Sequence, residues 1–208
     1  MNPISVDEFL ELTRGGVTAL DVRSGPDYAL SHLRGSVFIG LSQMFPNWAG
    51  QLLRLDEPLA LIAEPGHEAI ALDALAQNGH SDLRGFLEGG FAALAGHAEH
   101  LCSTERVDAA ALAAELDAAQ PTQLIDVREV PEWQRGCIGS ATNVPLTALQ
   151  QRFDEIPAEG RVILQCQGGY RSLIAASLLE CEGREGLVDM EGGFGAWVSE
   201  GRPVQPAS

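Results

Sequence analysis

The chain has 208 residues, of which 45% are apolar and 20% are charged, and its formal net charge at pH 7 is −16. A chain of this length and composition can form one large globular domain or two small ones. The negative charge disfavours nucleic acid and anionic membrane surfaces as partners, and no stretch approaches the ~18 apolar residues of a membrane span.

The N-terminal segment and the cysteines indicate neither export nor a metal site. Residues 1–12 include acidic residues and no basic segment, so we expect no signal peptide and a cytoplasmic location. The four cysteines form no C-x-x-C pair and no zinc-finger spacing with histidine. We therefore expect no disulfide framework, no structural metal and no cofactor. Cys102 and Cys181 are interpreted as small buried packing residues.

The first half of the chain predicts helices alternating with strands. Residues 5–12 start with a capping serine and carry apolar residues at helical spacing. Residues 17–22 indicate a short buried strand that ends in Asp21-Val22-Arg23. An aromatic insertion at residues 43–48 is interpreted as packing between domains, and a role in lining a ligand cleft stays open.

The second half of the chain repeats the first. Asp126-Val127-Arg128 matches Asp21-Val22-Arg23 at an offset of 105 residues, and Glu191-Gly192-Gly193-Phe194 matches Glu88-Gly89-Gly90-Phe91 at an offset of 103. Two equal units in the same order indicate a tandem duplication. Alternating strands and helices predict an α/β fold in each unit, with a mostly parallel sheet covered by helices on both faces. We expect domains at residues 1–100 and 101–208.

In the second unit the predicted elements surround one chemically active stretch. Helices are expected near residues 108–118, 129–136, 146–154, 171–182 and 193–200. Strands are expected near residues 122–127, 141–144, 161–166 and 186–189. The Asp126 carboxylate and Arg128 are interpreted as a buried or half-buried hydrogen-bonded pair that supports one end of the sheet.

The active stretch joins a predicted strand to a predicted helix. It reads Cys166-Gln167-Gly168-Gly169-Tyr170-Arg171, with Ser172 next. The two glycines let the backbone curl, so that successive amide N–H groups and the positive end of the helix dipole converge on the cysteine. This arrangement favours a thiolate and attracts anions, and Arg171 adds a further positive charge.

This loop resembles the active-site loop of the rhodanese sulfurtransferases in its Cys-x-x-Gly-x-Arg-Ser form. The Asp-Val-Arg and Glu-Gly-Gly-Phe motifs are similar to further landmarks of that family, so the resemblance covers nearly the whole chain twice. It implies that Cys166 attacks a sulfur donor and carries the sulfur as a persulfide, in covalent double-displacement chemistry. The loop residues from Gln167 to Arg171 are then expected to bind the donor, supported by Asp126 and Arg128.

The resemblance also bounds the expected partners. The donor is expected to be thiosulfate or a low-molecular-weight persulfide, and the acceptor a thiol or cyanide, with a sulfur-relay protein as a further partner. Mercaptopyruvate is disfavoured, because the enzymes that use it tend to carry a different loop sequence, Cys-Gly-Ser-Gly-Val-Thr. Neither nucleic acid nor a membrane is expected as a partner.

The first unit is expected to be catalytically silent. At the offset of 103, its loop reads Ala63-Glu64-Pro65-Gly66-His67-Glu68. Alanine has no nucleophilic atom, Glu68 reverses the charge of Arg171, and Pro65 removes an N–H donor. His67 is interpreted as an exposed loop residue. This unit and its active partner further resemble the rhodanese tail of bacterial fusions with a metallo-β-lactamase-fold persulfide dioxygenase. No His-x-His-x-Asp metal motif occurs here, so only the sulfur-transfer half is implied.

Three alternatives stay open at this stage. Cys137, where rhodaneses often have histidine, is interpreted as a buried replacement, with a second thiol that resolves the Cys166 persulfide as the rival interpretation. Cys-dependent phosphatases and arsenate reductases also use a cysteine, loop amides and an arginine, but with five residues between cysteine and arginine. Here there are four, and a shorter loop suits a sulfur atom better. The remaining alternative is a non-catalytic sulfur carrier or interaction module.

Overall fold

The computed structural model of the protein describes residues 2–118, 122–139 and 141–206. The chain divides into two compact units, Met1–Ser103 and Thr104–Ser208. Within the described ranges, no helix is long and apolar enough to cross a membrane.

The first unit contains a five-stranded parallel sheet with the strand order β1-β6-β5-β2-β4. A short antiparallel pair, β3 with β7, lies outside this sheet. The strands are β1 (Pro3–Ile4), β2 (Thr18–Asp21), β3 (His32–Leu33), β4 (Val37–Phe38), β5 (Leu59–Ile62), β6 (Leu83–Leu87) and β7 (Leu101–Cys102). The α-helices are α1 (Val6–Arg14), α2 (Gly25–Leu30), α3 (Phe45–Leu52) and α4 (Glu68–Gln77), and 3₁₀-helices cover Gly90–Gly96 and Ala98–His100.

The second unit has the same topology, with the strand order β10-β9-β11-β12-β8 and parallel pairing throughout. Its strands are β8 (Glu105–Val107), β9 (Gln123–Asp126), β10 (Thr142–Asn143), β11 (Val162–Gln165) and β12 (Leu187–Met190). Its α-helices are α5 (Ala109–Asp117), α6 (Val130–Gln134), α7 (Tyr170–Cys181) and α8 (Gly193–Ser199), and 3₁₀-helices cover Leu146–Gln151 and Phe153–Glu155. The shared strand order confirms the predicted α/β fold in both halves of the chain.

The central strand of each unit is apolar because the sheet is covered on both faces. Every residue of β5 and of β11 is buried. Helix α7 packs against β11 and β12, and its residues from Ser172 to Leu179 are all buried. Parallel sheets that are covered on both sides need such continuous apolar strands, and their carboxyl ends gather on one edge. The loop after β11 is therefore held on a rigid base.

Two of the sequence expectations are corrected by the fold. The helix expected at 146–154 is two short 3₁₀-helices, with i→i+3 hydrogen bonds such as Ala148 N–H to the Pro145 carbonyl. The apolar residues Leu146 and Leu149 are three apart and both buried, which fits three residues per turn. Strand β8 was not predicted, since it has only three residues and two of them are charged.

The aromatic insertion of the first unit forms helix α3, which packs against α4 in the same unit. Phe45 and Trp48 are buried, whereas Met44 just before the helix is exposed. The side-chain amide of Asn78, at the end of α4, donates to the Pro46 carbonyl. The two aromatic residues thus belong to the buried part of the structure. Their predicted contact with a neighbouring domain stays a prediction.

Candidate active site

The loop that contains Cys166 follows β11 directly and turns into α7 within four residues. Gly169 has φ +88°, a left-handed conformation that favours glycine, and it ends the loop at the helix N-terminus. Its backbone N–H donates a hydrogen bond to the Cys166 sulfur at 3.2 Å. The Cys166 side chain is buried, whereas Gln167 and Gly168 are exposed and Tyr170 is half-buried. The sulfur therefore lies under a loop whose outer face is open to solvent.

A second loop, after β12, holds the first one in place. The Phe194 N–H donates to the Cys166 carbonyl at 2.7 Å, and the Gly195 N–H donates to the Gln167 carbonyl at 2.9 Å. Gly193 has φ +52°, and a Cβ added there would collide with the Cys166 carbonyl oxygen. The Glu-Gly-Gly-Phe motif is thus explained by the close approach of the two loops.

A buried ion pair supports this same edge of the sheet. The Arg128 guanidinium donates to Asp126, with its shortest contact at 2.6 Å, and both side chains are buried. Arg128 also donates to the Gly136 carbonyl at 2.8 Å and lies over the Phe194 ring, 3.9 Å from its centroid. The pair therefore connects β9, the Gly136 turn and the segment that holds Cys166, and its role in supporting the site stays a prediction.

Arg171 does not present a free positive charge to the loop. Its guanidinium forms a two-pronged ion pair with Glu132 of α6, at 2.6 and 2.7 Å. The hydrogen bonds that Arg171 donates to Glu132 raise the pKa of Arg171 and lower the pKa of Glu132. The sequence interpretation counted the arginine alone, whereas the structure places a carboxylate beside it. The local charge of the site is thus close to balanced.

A hydrogen-bonded chain that the sequence interpretation missed begins at the Cys166 sulfur. The Ser172 Oγ lies 3.5 Å from that sulfur and 2.6 Å from Oδ1 of the buried Asp189. Oδ2 of Asp189 accepts from the Arg106 Nε at 3.0 Å, and Arg106 also contacts Glu191 at 3.0 Å. Ser172 belongs to the loop motif, but Asp189 and Arg106 come from β12 and β8, and no motif marks them.

The remaining cysteines lie in different surroundings. Cys137 is buried, its Sγ lies 3.6 Å from the Gln205 carbonyl, and burial raises the pKa of its thiol. A raised pKa disfavours the thiolate that a resolving cysteine needs, so packing is the better interpretation. Cys102 is half-buried, with its Sγ 3.1 Å from the His32 Nε2. The burial expected for Cys181 is wrong: it is the last residue of α7 and is exposed, because the helix end projects beyond the packed region.

The first unit keeps the loop geometry and loses the sulfur. Ala63 follows β5 and is buried, and Gly66 has φ +93°, as Gly169 does in the second unit. The Gly66 N–H donates to the Glu68 carboxylate at 2.8 Å. The amide that faces sulfur in the second unit thus faces a side-chain anion in the first. His67 is exposed, as predicted.

Comparison with known proteins agrees with this geometry. The rhodanese-like domain model matches residues 5–97 and again residues 108–200. The chain belongs to the rhodanese-like family. Both repeats are therefore rhodanese-like domains, and we refer to them below as the first and second domain.

Among curated relatives, uncharacterized protein YqhL of Bacillus subtilis is 44% identical over 75 residues, which are 36% of this chain and 60% of YqhL. A protein named sulfurtransferase from Allochromatium vinosum is 30% identical over 98 residues, which are 47% of this chain and 92% of the relative. The putative sulfur carrier protein YrkF of Bacillus subtilis is 24% identical over 102 residues, 49% of this chain and 55% of YrkF. Each match thus corresponds to about one domain of this chain.

Proposed function

We propose that the second domain is a sulfurtransferase in which Cys166 is the nucleophile. The observation that carries this proposal is the position of its sulfur, buried under the loop and accepting a hydrogen bond from the Gly169 N–H at 3.2 Å. An amide donor at this place stabilises the thiolate and, after transfer, the persulfide anion. The family and the names of relatives support a role in sulfur transfer.

The proposed reaction has two displacement steps. In the first, the Cys166 thiolate attacks the outer sulfur of the donor, the sulfur–sulfur bond of the donor breaks, and the donor leaves as its thiol or sulfite. In the second, an acceptor thiolate or cyanide attacks the outer sulfur of the Cys166 persulfide and releases the Cys166 thiolate. No electrons are gained or lost overall, so the cycle requires no redox partner.

The charges around the loop favour a low-molecular-weight persulfide over thiosulfate as donor. Three arginines lie near the loop, and each is paired with a carboxylate: Arg171 with Glu132, Arg106 with Asp189, and Arg128 with Asp126. A donor with two negative charges would meet little uncompensated positive charge, on a chain of net charge −16. A thiol-derived persulfide carries at most one charge at its reacting end. Glutathione persulfide is the donor we select for the test.

The first domain is proposed to have no sulfurtransferase activity of its own, because Ala63 replaces the nucleophile and Glu68 occupies the Gly66 N–H. A phosphatase or arsenate reductase is disfavoured by the four-residue spacing. It is also disfavoured by the Arg171–Glu132 pair, because a phosphate-binding arginine needs its guanidinium available.

Steady-state turnover tests the proposal. Full-length protein is assayed with glutathione persulfide and a thiol acceptor, and in parallel with thiosulfate and cyanide. We expect turnover with both donors and a higher kcat/KM with the persulfide. Turnover with neither donor, while Cys166 can still be loaded with sulfur by a partner protein, would favour the sulfur-carrier alternative. Higher kcat/KM with thiosulfate would contradict the charge argument.

A further inference from the structure

The second domain provides no imidazole to accept the proton of its own nucleophile. No histidine occurs from Thr104 to Ser208 in the sequence. The chain's five histidines all belong to the first domain: His32, His67, His80, His97 and His100. A thiol nucleophile is usually activated by an adjacent general base or by electrostatic stabilisation of its thiolate. Any general base for Cys166 within the second domain must therefore be a group other than histidine.

The hydrogen bonds of Ser172 identify that group. A serine hydroxyl has one proton to donate, yet the Ser172 Oγ faces two acceptors, Asp189 Oδ1 at 2.6 Å and the Cys166 sulfur at 3.5 Å. While Asp189 is ionised, the proton lies on the shorter, charge-assisted contact to the carboxylate. The serine oxygen then presents a lone pair to the cysteine and can accept from its S–H. A thiolate at Cys166 needs the opposite arrangement, in which the Ser172 hydroxyl donates its proton to the sulfur and not to Asp189.

We propose that Cys166 and Asp189 share one proton through Ser172, so that Asp189 is the internal proton acceptor of the site. The Cys166 proton moves to the Ser172 oxygen while the Ser172 proton moves to Asp189 Oδ1. The result is a thiolate beside a neutral carboxyl, with the same number of protons and the same total charge. Ser172 contacts the reacting atom, and Asp189 is a positioning residue that acts through it. This inference rests on the proposed role of Cys166 as nucleophile.

The groups that face Asp189 are compatible with this role. Arg106 reaches its Oδ2 from β8, Ser172 reaches its Oδ1 from α7, and Glu191 lies beyond on the other side of Arg106. Burial raises the pKa of Asp189, against the opposing effects of Ser172 and Arg106. Arg106 contacts both Asp189 and Glu191, so its positive charge is divided between two carboxylates. The Asp189 carboxyl is therefore a stronger base than an ordinary exposed aspartate.

The silent domain supports the inference independently, because it has lost every member of the chain at once. The strand registers align Asp189 with Phe86 and Arg106 with Pro3, and Cys166 aligns with Ala63. After Glu68, the first turn of α4 has no hydroxyl, since residues 69–72 are Ala, Ile, Ala and Leu. The supporting pair Asp126–Arg128 is kept as Asp21–Arg23. The first domain thus keeps the ion pair at the sheet edge but has none of the residues of the proposed proton path.

The test is the pH dependence of Cys166 alkylation by iodoacetamide in the full-length protein, followed peptide by peptide with mass spectrometry. Two groups that share a proton titrate in two macroscopic steps, so the wild type should show a two-step curve. Asp189→Asn should show one step whose midpoint lies between the two wild-type steps, because the amide cannot take up the Cys166 proton. The amide donates to Ser172 permanently and no longer competes for the serine proton.

Two comparisons separate proton sharing from a simple charge effect. Glu191→Gln removes the other carboxylate from Arg106 without touching Ser172, so it should keep the two steps and only shift them, because Asp189 then holds the Arg106 charge alone. In a Ser172→Ala background, Asp189→Asn should shift the midpoint less than half as far as it does with Ser172 present. An equal shift in both backgrounds would show a through-space charge effect and would overturn the proposal. An unchanged curve for Asp189→Asn would overturn it as well.

A measurement without variants of Asp189 covers the case in which Asp189→Asn does not fold. The thiolate absorbance of Cys166, taken as the difference between wild type and Cys166→Ala, is compared with the infrared band of the protonated carboxyl. A shared proton requires a common midpoint for the two signals, and independent midpoints would overturn the proposal. Alkylation and titration need no sulfur donor, so these results can be interpreted even if the sulfurtransferase assay shows no turnover. Turnover in that assay can likewise be interpreted even if Cys166 and Asp189 do not share a proton.

Discussion

The two domains carry nearly the same loop backbone and place different groups on it. Gly66 and Gly169 have φ +93° and +88°, and Gly90 and Gly193 have φ +62° and +52°. In both domains an arginine lies over a phenylalanine ring: Arg23 over Phe91 and Arg128 over Phe194. The difference lies in what the loop amide faces, a carboxylate in the first domain and a sulfur in the second. The loop conformation is thus maintained by the surrounding residues and does not depend on whether alanine or cysteine stands at its start.

The close packing of the two loops can be tested separately from the reaction at Cys166. Variants that disturb this packing should have the largest effects on stability and on sulfur transfer. Gly193→Ala adds a Cβ that collides with the Cys166 carbonyl, whereas Gly183→Ala has a similar positive φ (+77°) in open space. Gly183→Ala should cost about 1 kcal/mol of backbone strain. Gly193→Ala should cost at least about 3 kcal/mol and lower sulfur transfer far more.

The matching change in the first domain is Gly90→Ala, whose Cβ would lie 2.7 Å from the Ala63 carbonyl. It should lower the free energy of unfolding of the first domain and leave the chemical step at Cys166 unchanged. Denaturant unfolding combined with sulfur-transfer rates checks all three variants. Equal losses of stability for Gly193→Ala and Gly183→Ala would show that the two loops do not need their close approach.

Two variants that change the charge beside the second domain's loop should have opposite effects on kcat/KM for thiosulfate. Glu132→Gln releases Arg171 from its carboxylate and should raise kcat/KM for thiosulfate by about tenfold, because a charged hydrogen bond becomes available to the donor. Arg171→Ala should lower it by about tenfold, because the Glu132 carboxylate is then left without its partner beside the loop and repels the anionic donor. Neither change should alter kcat/KM for glutathione persulfide as strongly. Steady-state kinetics with both donors provides the comparison, and a fall in thiosulfate kcat/KM for Glu132→Gln would contradict the account.

The smallest effect is expected at Cys137, where the first domain has His32 in the corresponding turn. Cys137→Ala should leave the rates of both half-reactions unchanged and cost about 1 kcal/mol of stability, because a buried sulfur is removed. Rapid-mixing assays of persulfide decay would reveal a role in resolution. A tenfold slower decay in the variant would restore the interpretation of Cys137 as a resolving thiol.

The sequence predicts the strand, loop and helix that hold Cys166 better than it predicts the side-chain contacts around it. Strand β11, the loop and α7 follow from a continuous apolar run, two glycines and a helical pattern, all local signals. The Asp126–Arg128 pair is equally local, because its members are two residues apart. Glu132, Asp189 and Arg106 could not be assigned, since the Glu132–Arg171 and Arg106–Asp189 contacts join residues that are 39 and 83 positions apart along the chain. The charge balance at Arg171 is a consequence of tertiary structure, and no pattern within the loop reveals it.

The second of the two errors in secondary structure has a similar cause. Strand β8 consists of Glu105, Arg106 and Val107, and only Val107 is buried. Its edge position is determined by pairing with β12 and not by an apolar run of its own. The sequence pattern therefore predicted no strand here, although the segment carries Arg106, whose guanidinium contacts the buried Asp189.

The most direct test of the central claim is the site at which sulfur is bound. Full-length wild type, Cys166→Ala and Cys166→Ala/Ala63→Cys are exposed to glutathione persulfide, and peptide mass spectrometry locates each added sulfur atom. We predict one persulfide in the wild type, on Cys166, and no turnover in either variant, because the first domain keeps Glu68 at its loop amide. Sulfur transfer that returns when cysteine is installed at Ala63 would show that Glu68 and Pro65 do not block the first loop. Sulfur transfer that survives in Cys166→Ala would contradict the assignment of catalysis to Cys166 and the second domain.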